Sequence, residues 1–91
     1  MSTVFIALQA NEETRPIIDA IVADNPLAVV NRQPAMVKID AEDRMVIRKA
    51  TIEENLGREF DLQELHVNLI TLAGNVDEDD ETLTLSWGRG R

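Results

Sequence analysis

Ninety-one residues with 44% hydrophobic and 29% charged side chains suit one small globular domain with a modest core, not a disordered chain. Nine Lys and Arg against 17 Asp and Glu leave a net charge of -8, which disfavours nucleic acid and anionic membranes and favours a basic or locally electropositive protein partner. With no cysteine there is no disulfide framework, thiol nucleophile or thiolate metal site.

The first residues lack a basic n-region and turn polar at Gln9, so they do not read as a signal peptide. No apolar run approaches the roughly 18 residues that a membrane span needs, and a soluble cytoplasmic protein is expected. Residues 3–8 form the first predicted strand, with Val4, Ile6 and Leu8 on one side. Ile17, Ile18, Ile21 and Val22 then recur at helical spacing, which predicts a helix over residues 12–24 ended by Asn25-Pro26. Its start is open: Asn11 as N-cap would put Pro16 just past the first turn, whereas Thr14 would place it inside.

Strands follow at residues 27–32 and 35–40, the latter with Ala35, Val37 and Ile39 on one face. Residues 41–43 make a hairpin or a corner between sheets before a strand at 44–48. Thr51-Ile52-Glu53-Glu54 has the capping-box pattern and Gly57 supplies a left-handed stop. Residues 61–64 repeat the capping signal, so two short helical segments lie back to back.

Residues 64–87 read as strand, acidic loop, strand. Leu65, Val67, Leu69, Ile70, Leu72 and Ala73 give an apolar first strand, Gly74-Asn75-Val76 a break, residues 77–81 five consecutive acids, and residues 82–87 a closing strand. Strict alternation puts Val67, Leu69, Thr71 and Ala73 on one face and His66, Asn68, Ile70 and Leu72 on the other. A half-buried strand needs only one apolar face, so the second must lie under the first helix or meet a partner. The order is β-α-β-β then β-α-α-β-β, which predicts an α+β domain over residues 1–87 with helices packed on a mixed sheet, and a flexible tail at 88–91.

Catalytic signals are weak. Asp77, Asp79 and Glu81 alternate like the first ligands of an EF-hand, but Thr82 stands where the turn glycine belongs and Gly88 where the bidentate Glu belongs. A solvated acidic turn, or a rim that steers docking onto a basic surface, accounts for these residues better. His66 is the only histidine, so no His pair exists for zinc or iron, and Ser2 and Ser86 stand in no nucleophile pattern. Phe5, Phe60 and Trp87 are too few for a nucleic-acid stacking platform, and Trp87 reads as a lid at the core's edge.

Three stretches carry a family resemblance: Pro34-Ala35-Met36-Val37-Lys38-Ile39, Leu56-Gly57-Arg58-Glu59-Phe60-Asp61, and above all residues 69–79, Leu-Ile-Thr-Leu-Ala-Gly-Asn-Val-Asp-Glu-Asp. The chain resembles, along nearly its whole length, the small regulatory (effector, or coupling) proteins of bacterial multicomponent diiron monooxygenases, nearest their phenol hydroxylase branch. The resemblance implies a non-enzymatic protein without cofactor or metal, folded as βαββ and βααββ halves. It implies binding to the diiron hydroxylase near its active-site entrance, in a system that also contains a reductase, so that reductant and O₂ use is coupled to aromatic hydroxylation. It places the contact residues at Asn68, Ile70, Thr71 and Leu72; beside them residues 77–81 are expected as an acidic rim, and Asn75, Asp77, Glu78 and Asp79 complete the expected partner-binding set. Asn68 matches the methane monooxygenase branch in kind, whereas Ile70 and Leu72 stand where that branch carries hydroxyl residues. A small acidic cation-binding or inhibitory protein acting through residues 77–81 is the rival reading, and a purely structural subunit a third.

Overall fold

The structure is a computed structural model and describes residues 3–87, so the expected tail at 88–91 lies outside the described residues. In chain order the elements are β1 (Thr3–Gln9), α1 (Arg15–Asp24), β2 (Val29–Gln33), β3 (Met36–Glu42), β4 (Arg44–Arg48) and α2 (Lys49–Leu56). A 3₁₀ helix (Leu62–Val67), β5 (Leu69–Ala73), β6 (Asn75–Glu78) and β7 (Thr82–Ser86) complete it.

The α+β class and the βαββ opening hold. Where one mixed sheet was expected, the strands divide into a four-stranded sheet ordered β2-β3-β1-β5 and a three-stranded sheet ordered β4-β7-β6. Every pairing is antiparallel. In the larger sheet Val30, Ile39, Ile6 and Leu72 oppose one another in turn across all four strands. Val4 opposes Ala41 and Leu8 opposes Val37, so the apolar alternation of β1 and β3 builds one continuous inner face. In the smaller sheet Met45 opposes Leu85 and Ile47 opposes Leu83. These residues join Ile17, Ile18, Ile21, Ile52, Phe60 and Leu65 in one buried cluster. Burying each such aliphatic side chain contributes about 1.5–3 kcal/mol, so this cluster is the chief stabilising term.

The chain crosses between the sheets three times: once through α2 and the 3₁₀ helix, which return it from β4 to β5, and twice directly, each time through one residue with positive φ. Asp43 (φ 66°) turns β3 into β4, so the segment expected as hairpin or corner is a corner. Gly74 (φ 131°) turns β5 into β6. A Cβ on Gly74 would lie 3.0 Å from Val4 Cγ1, so that Val4 would have to give by a few tenths of an ångström to admit another residue. Gly57 ends α2 in the left-handed conformation as expected (φ 74°), with open space around it.

Two local expectations are corrected and a third holds. The helix at 12–24 begins at Arg15 with Thr14 as N-cap, and Asn11 serves a preceding turn instead, its Oδ1 accepting the Thr14 amide at 3.0 Å. Thr51 does not cap α2, which starts two residues earlier because β4 runs directly into it; the N-cap is Arg48, with no side-chain hydrogen bond. The second capping signal, at residues 61–64, does form a capping box: Asp61 Oδ1 accepts the Gln63 amide at 2.9 Å and Glu64 Oε2 the Asp61 amide at 3.2 Å. Among the described residues no helix is long and apolar enough to cross a membrane.

The glycine corners predict a clear contrast. Gly74→Ala combines a rare backbone conformation with the Val4 clash and should cost roughly 2–4 kcal/mol in urea unfolding. Gly57→Ala faces the conformational term alone, about 1 kcal/mol. Equal losses for both variants would show that the Val4 contact imposes no constraint.

Candidate functional site

β5 and β6 are edge strands of different sheets, joined directly at Gly74. An unpaired edge presents free backbone groups and is a natural docking surface unless charge guards it. Here the guard is uneven: β6 carries Asp77 and Glu78, whereas β5 carries no charge.

The expected strand over 65–73 is shortened. Residues 62–67 form the 3₁₀ helix, which turns Leu62 and Leu65 into the core and leaves Val67 72% exposed. Strict alternation also fails inside β5. Ala7 opposes Thr71 while Leu8 opposes Leu69, so Ile70 is an extra residue in a β-bulge. The bulge restarts the register: Leu69 and Leu72 both pack against the core, and Ile70 is left 47% exposed. Strict alternation had placed Ile70 and Leu72 on one face, and the bulge separates them. The puzzle of two apolar faces is thereby resolved. No helix is needed over a second face, because α1 packs chiefly against α2 and β4.

The remaining expected contact residues fall into two groups. Asn68 is buried at 8% exposure and fully engaged: Oδ1 accepts Asn11 Nδ2 at 3.1 Å, Nδ2 donates to Glu13 Oε1 at 3.3 Å, and its carbonyl accepts the Gln9 amide at 2.9 Å. Beside it the fully buried Thr14 hydroxyl donates to the Gln9 carbonyl at 2.7 Å. This polar knot ties the β1–α1 connection to the start of β5. Thr71, Asn75, Asp77, Glu78 and Asp79 are all exposed along or beside the edge. Val67 and Val76 (46% exposed) extend the apolar strip on either side of Ile70. Sequence reasoning missed both, because Val67 was placed in a strand and Val76 in a turn.

The acids at 77–81 are also reassigned: Asp77 and Glu78 pair with Thr84 and Leu83 in β6, and only residues 79–81 form the turn. Asp79 Oδ1 accepts the amides of Glu81 and Thr82 at 2.8 and 2.9 Å, closing the turn on itself. The Lys49 amide donates to the Glu81 carbonyl at 2.9 Å and holds the hairpin to α2. Among the described residues no group of three or more His, Cys, Asp or Glu side chains is placed to hold a metal ion. An acidic groove of about 720 Å³ lies between this hairpin and the start of the 3₁₀ helix, lined by Asp61, Glu64, Glu78, Asp79 and Glu81 with Lys49 as the cation. His66 Nε2 stands 3.8 Å from Glu78 Oε1 and bridges the same two elements when protonated.

Val67, Ile70 and Val76 are thus exposed on or beside the two edge strands, with Asp77 and Glu78 next to them on β6. The sequence model of the MmoB/DmpM family matches residues 2–86. The chain belongs to the MmoB/DmpM family. It is 54% identical over 86 residues to the stimulatory component DmpM of phenol 2-monooxygenase from Pseudomonas sp. strain CF600, covering 94% of this chain and 96% of that protein. A chain from a solved phenol hydroxylase–regulatory protein complex superposes with a TM-score of 0.92 at 48% identity, covering 96% of this chain and all of the other. A second structure of such a complex gives 0.87 at 46% identity, covering 94% of this chain and all of the other. The soluble methane monooxygenase regulatory protein B shares the fold, with a TM-score of 0.75 at 22% identity over 94% of this chain and 65% of its own. The family resemblance carried by residues 56–61 and 69–79 is thus borne out.

Two pairs of variants test this geometry by urea unfolding. Ile70→Asp should change stability by no more than about 0.5 kcal/mol, as at other exposed positions, while Leu72→Asp should cost roughly 3 kcal/mol or more by burying a charge. Asn68→Ala should cost about 1–2 kcal/mol through the lost knot, and Asn75→Ala next to nothing. A folded, fully stable Leu72→Asp protein would contradict the bulge.

Proposed function

We propose that this chain is the non-catalytic regulatory component of a multicomponent phenol monooxygenase, and that it binds the hydroxylase component through the β5–β6 edge. Family membership, with near-complete overlap onto chains of phenol hydroxylase–regulatory protein complexes, is the observation that carries this reading. Ile70, Thr71, Val67 and Val76 make the apolar part of the contact, and Asn75, Asp77, Glu78 and Asp79 its acidic rim. Asn68 and Leu72 support the edge from within.

The mechanism is differential binding. A protein that contributes no reacting group changes a partner's rate only by binding its active conformation more tightly than its resting one. A stiff edge suits that task. Two sheets, one glycine corner and the Asn68 knot fix the edge before binding, so little free energy is lost in ordering it. The acidic rim raises the encounter rate with a basic hydroxylase surface and has less effect on the lifetime of the complex. On this reading the chain acts in the cytoplasm as one domain over residues 1–87, couples NADH-derived electrons and O₂ to aromatic hydroxylation, and shares its system with a reductase.

Reconstitution tests the reading directly. Leaving this chain out of a mixture of hydroxylase, reductase, NADH and phenol should slow product formation by roughly 5- to 150-fold, the range of typical allosteric couplings. Unchanged turnover would defeat it. Ile70→Asp should reproduce most of the loss while the protein stays folded.

A further inference from the structure

The opposite edge of the larger sheet is also free, and its approach displays the most exposed large apolar side chain among the described residues. Leu27 is 94% exposed and Val29, which opens β2, is 58% exposed. Leu27 is not on a loose loop. Asn25 rivets the turn that carries it: Nδ2 donates to the carbonyls of Ile21 and Val46, each at 2.7 Å, and Oδ1 accepts the Val46 amide at 2.9 Å. The Ala28 amide closes the turn onto the Asn25 carbonyl at 2.9 Å. A fold that anchors a turn to both α1 and β4 and then points a leucine into water holds that leucine ready for a partner.

Leu27, Val29 and Pro26 border a recess of about 670 Å³ whose charged lining is Asp24, Asp40, Glu42 and Asp43 against Arg44. Two of these carboxylates are incompletely bonded within the chain. Asp24 Oδ2 has no hydrogen-bond partner among the described residues. Asp40 Oδ2 accepts Asn31 Nδ2 at 3.0 Å, but Oδ1 has only the Lys38 ammonium at 3.6 Å, an ion pair without a hydrogen bond. The recess therefore offers an apolar shelf beside an excess of negative charge.

We propose that this recess is a second docking point on the hydroxylase, occupied by a basic side chain with a long aliphatic stem, arginine above all. The stem lies along Leu27, Val29 and Pro26 while the guanidinium meets the exposed Glu42 carboxylate, drawn by the field of the buried Asp24 and Asp40 oxygens behind it. A second copy of this chain is the wrong occupant, because a protein of charge -8 would bring acid against acid. β3 and β1 separate β2 from β5, three strand spacings or about 14 Å, so the hydroxylase grips the sheet by both edges. The proposal rests on the hydroxylase being the partner and adds a contact that the β5–β6 edge does not supply.

The test is binding of the purified chain to the hydroxylase component at low and high ionic strength. The double variant Leu27→Asp, Val29→Asp should weaken binding about tenfold or more, as loss of a central apolar anchor does, with its melting temperature unchanged. Glu42→Lys should slow association at low salt and flatten the salt dependence. Affinity of the double variant within about twofold of the parent, while Ile70→Asp binds weakly, overturns the second contact and leaves the first intact. So does a double variant that changes only self-association in sedimentation equilibrium. A parent chain that does not bind the hydroxylase at all defeats the partner assignment itself.

Discussion

The close approach of Gly74 to Val4 is the constraint on which the rest of the structure depends. One strand must leave the four-stranded sheet and enter the three-stranded one without breaking the core beneath, and the inner face of β1 stands in its way. A residue without a Cβ, at φ 131°, passes close to Val4 without strain and turns β5 into β6. The other direct crossing, at Asp43, turns β3 into β4. Between them the two corners let two antiparallel sheets share one core.

The edge at β5 is shaped by opposing demands. The core needs Leu69 and Leu72, docking needs an apolar residue outside, and regular alternation cannot supply both from adjacent positions. The bulge at Ile70 reconciles them by inserting one unpaired residue, as bulges commonly do where a side chain must be redirected. The Asn68 knot then fixes where β5 begins. It joins Asn11, Glu13 and the Gln9 amide to the end of the 3₁₀ helix, so the edge is held by side chains far away in sequence. Such a network is rigid because every member is bonded to another, which is what a surface that selects one partner conformation requires.

Charge plays a supporting role. The net charge of -8 is spread over the acidic hairpin, the groove beside it and the recess near Leu27, and each bordering patch carries exposed aliphatic residues. Carboxylates discourage the apolar edges from pairing with one another, and they favour a basic partner at long range.

Much of this was legible in the chain itself. The alternation in residues 3–8 and 35–40, the helical spacing of Ile17, Ile18, Ile21 and Val22, the stop at Gly57 and the capping box at Asp61 are local signals, and local physics reads them correctly. Family membership was legible too, in residues 56–61 and 69–79. What only the tertiary structure decided was pairing: that residues 75–78 form a strand, that β4 belongs with β7, that Ile70 is a bulge and that Asn68 faces inward. Each depends on which distant backbone lies alongside. A bulge has no signature in its own residues, since Ile70 and Leu72 are equally apolar, and only the register against β1 distinguishes the one left exposed from the one packed against the core.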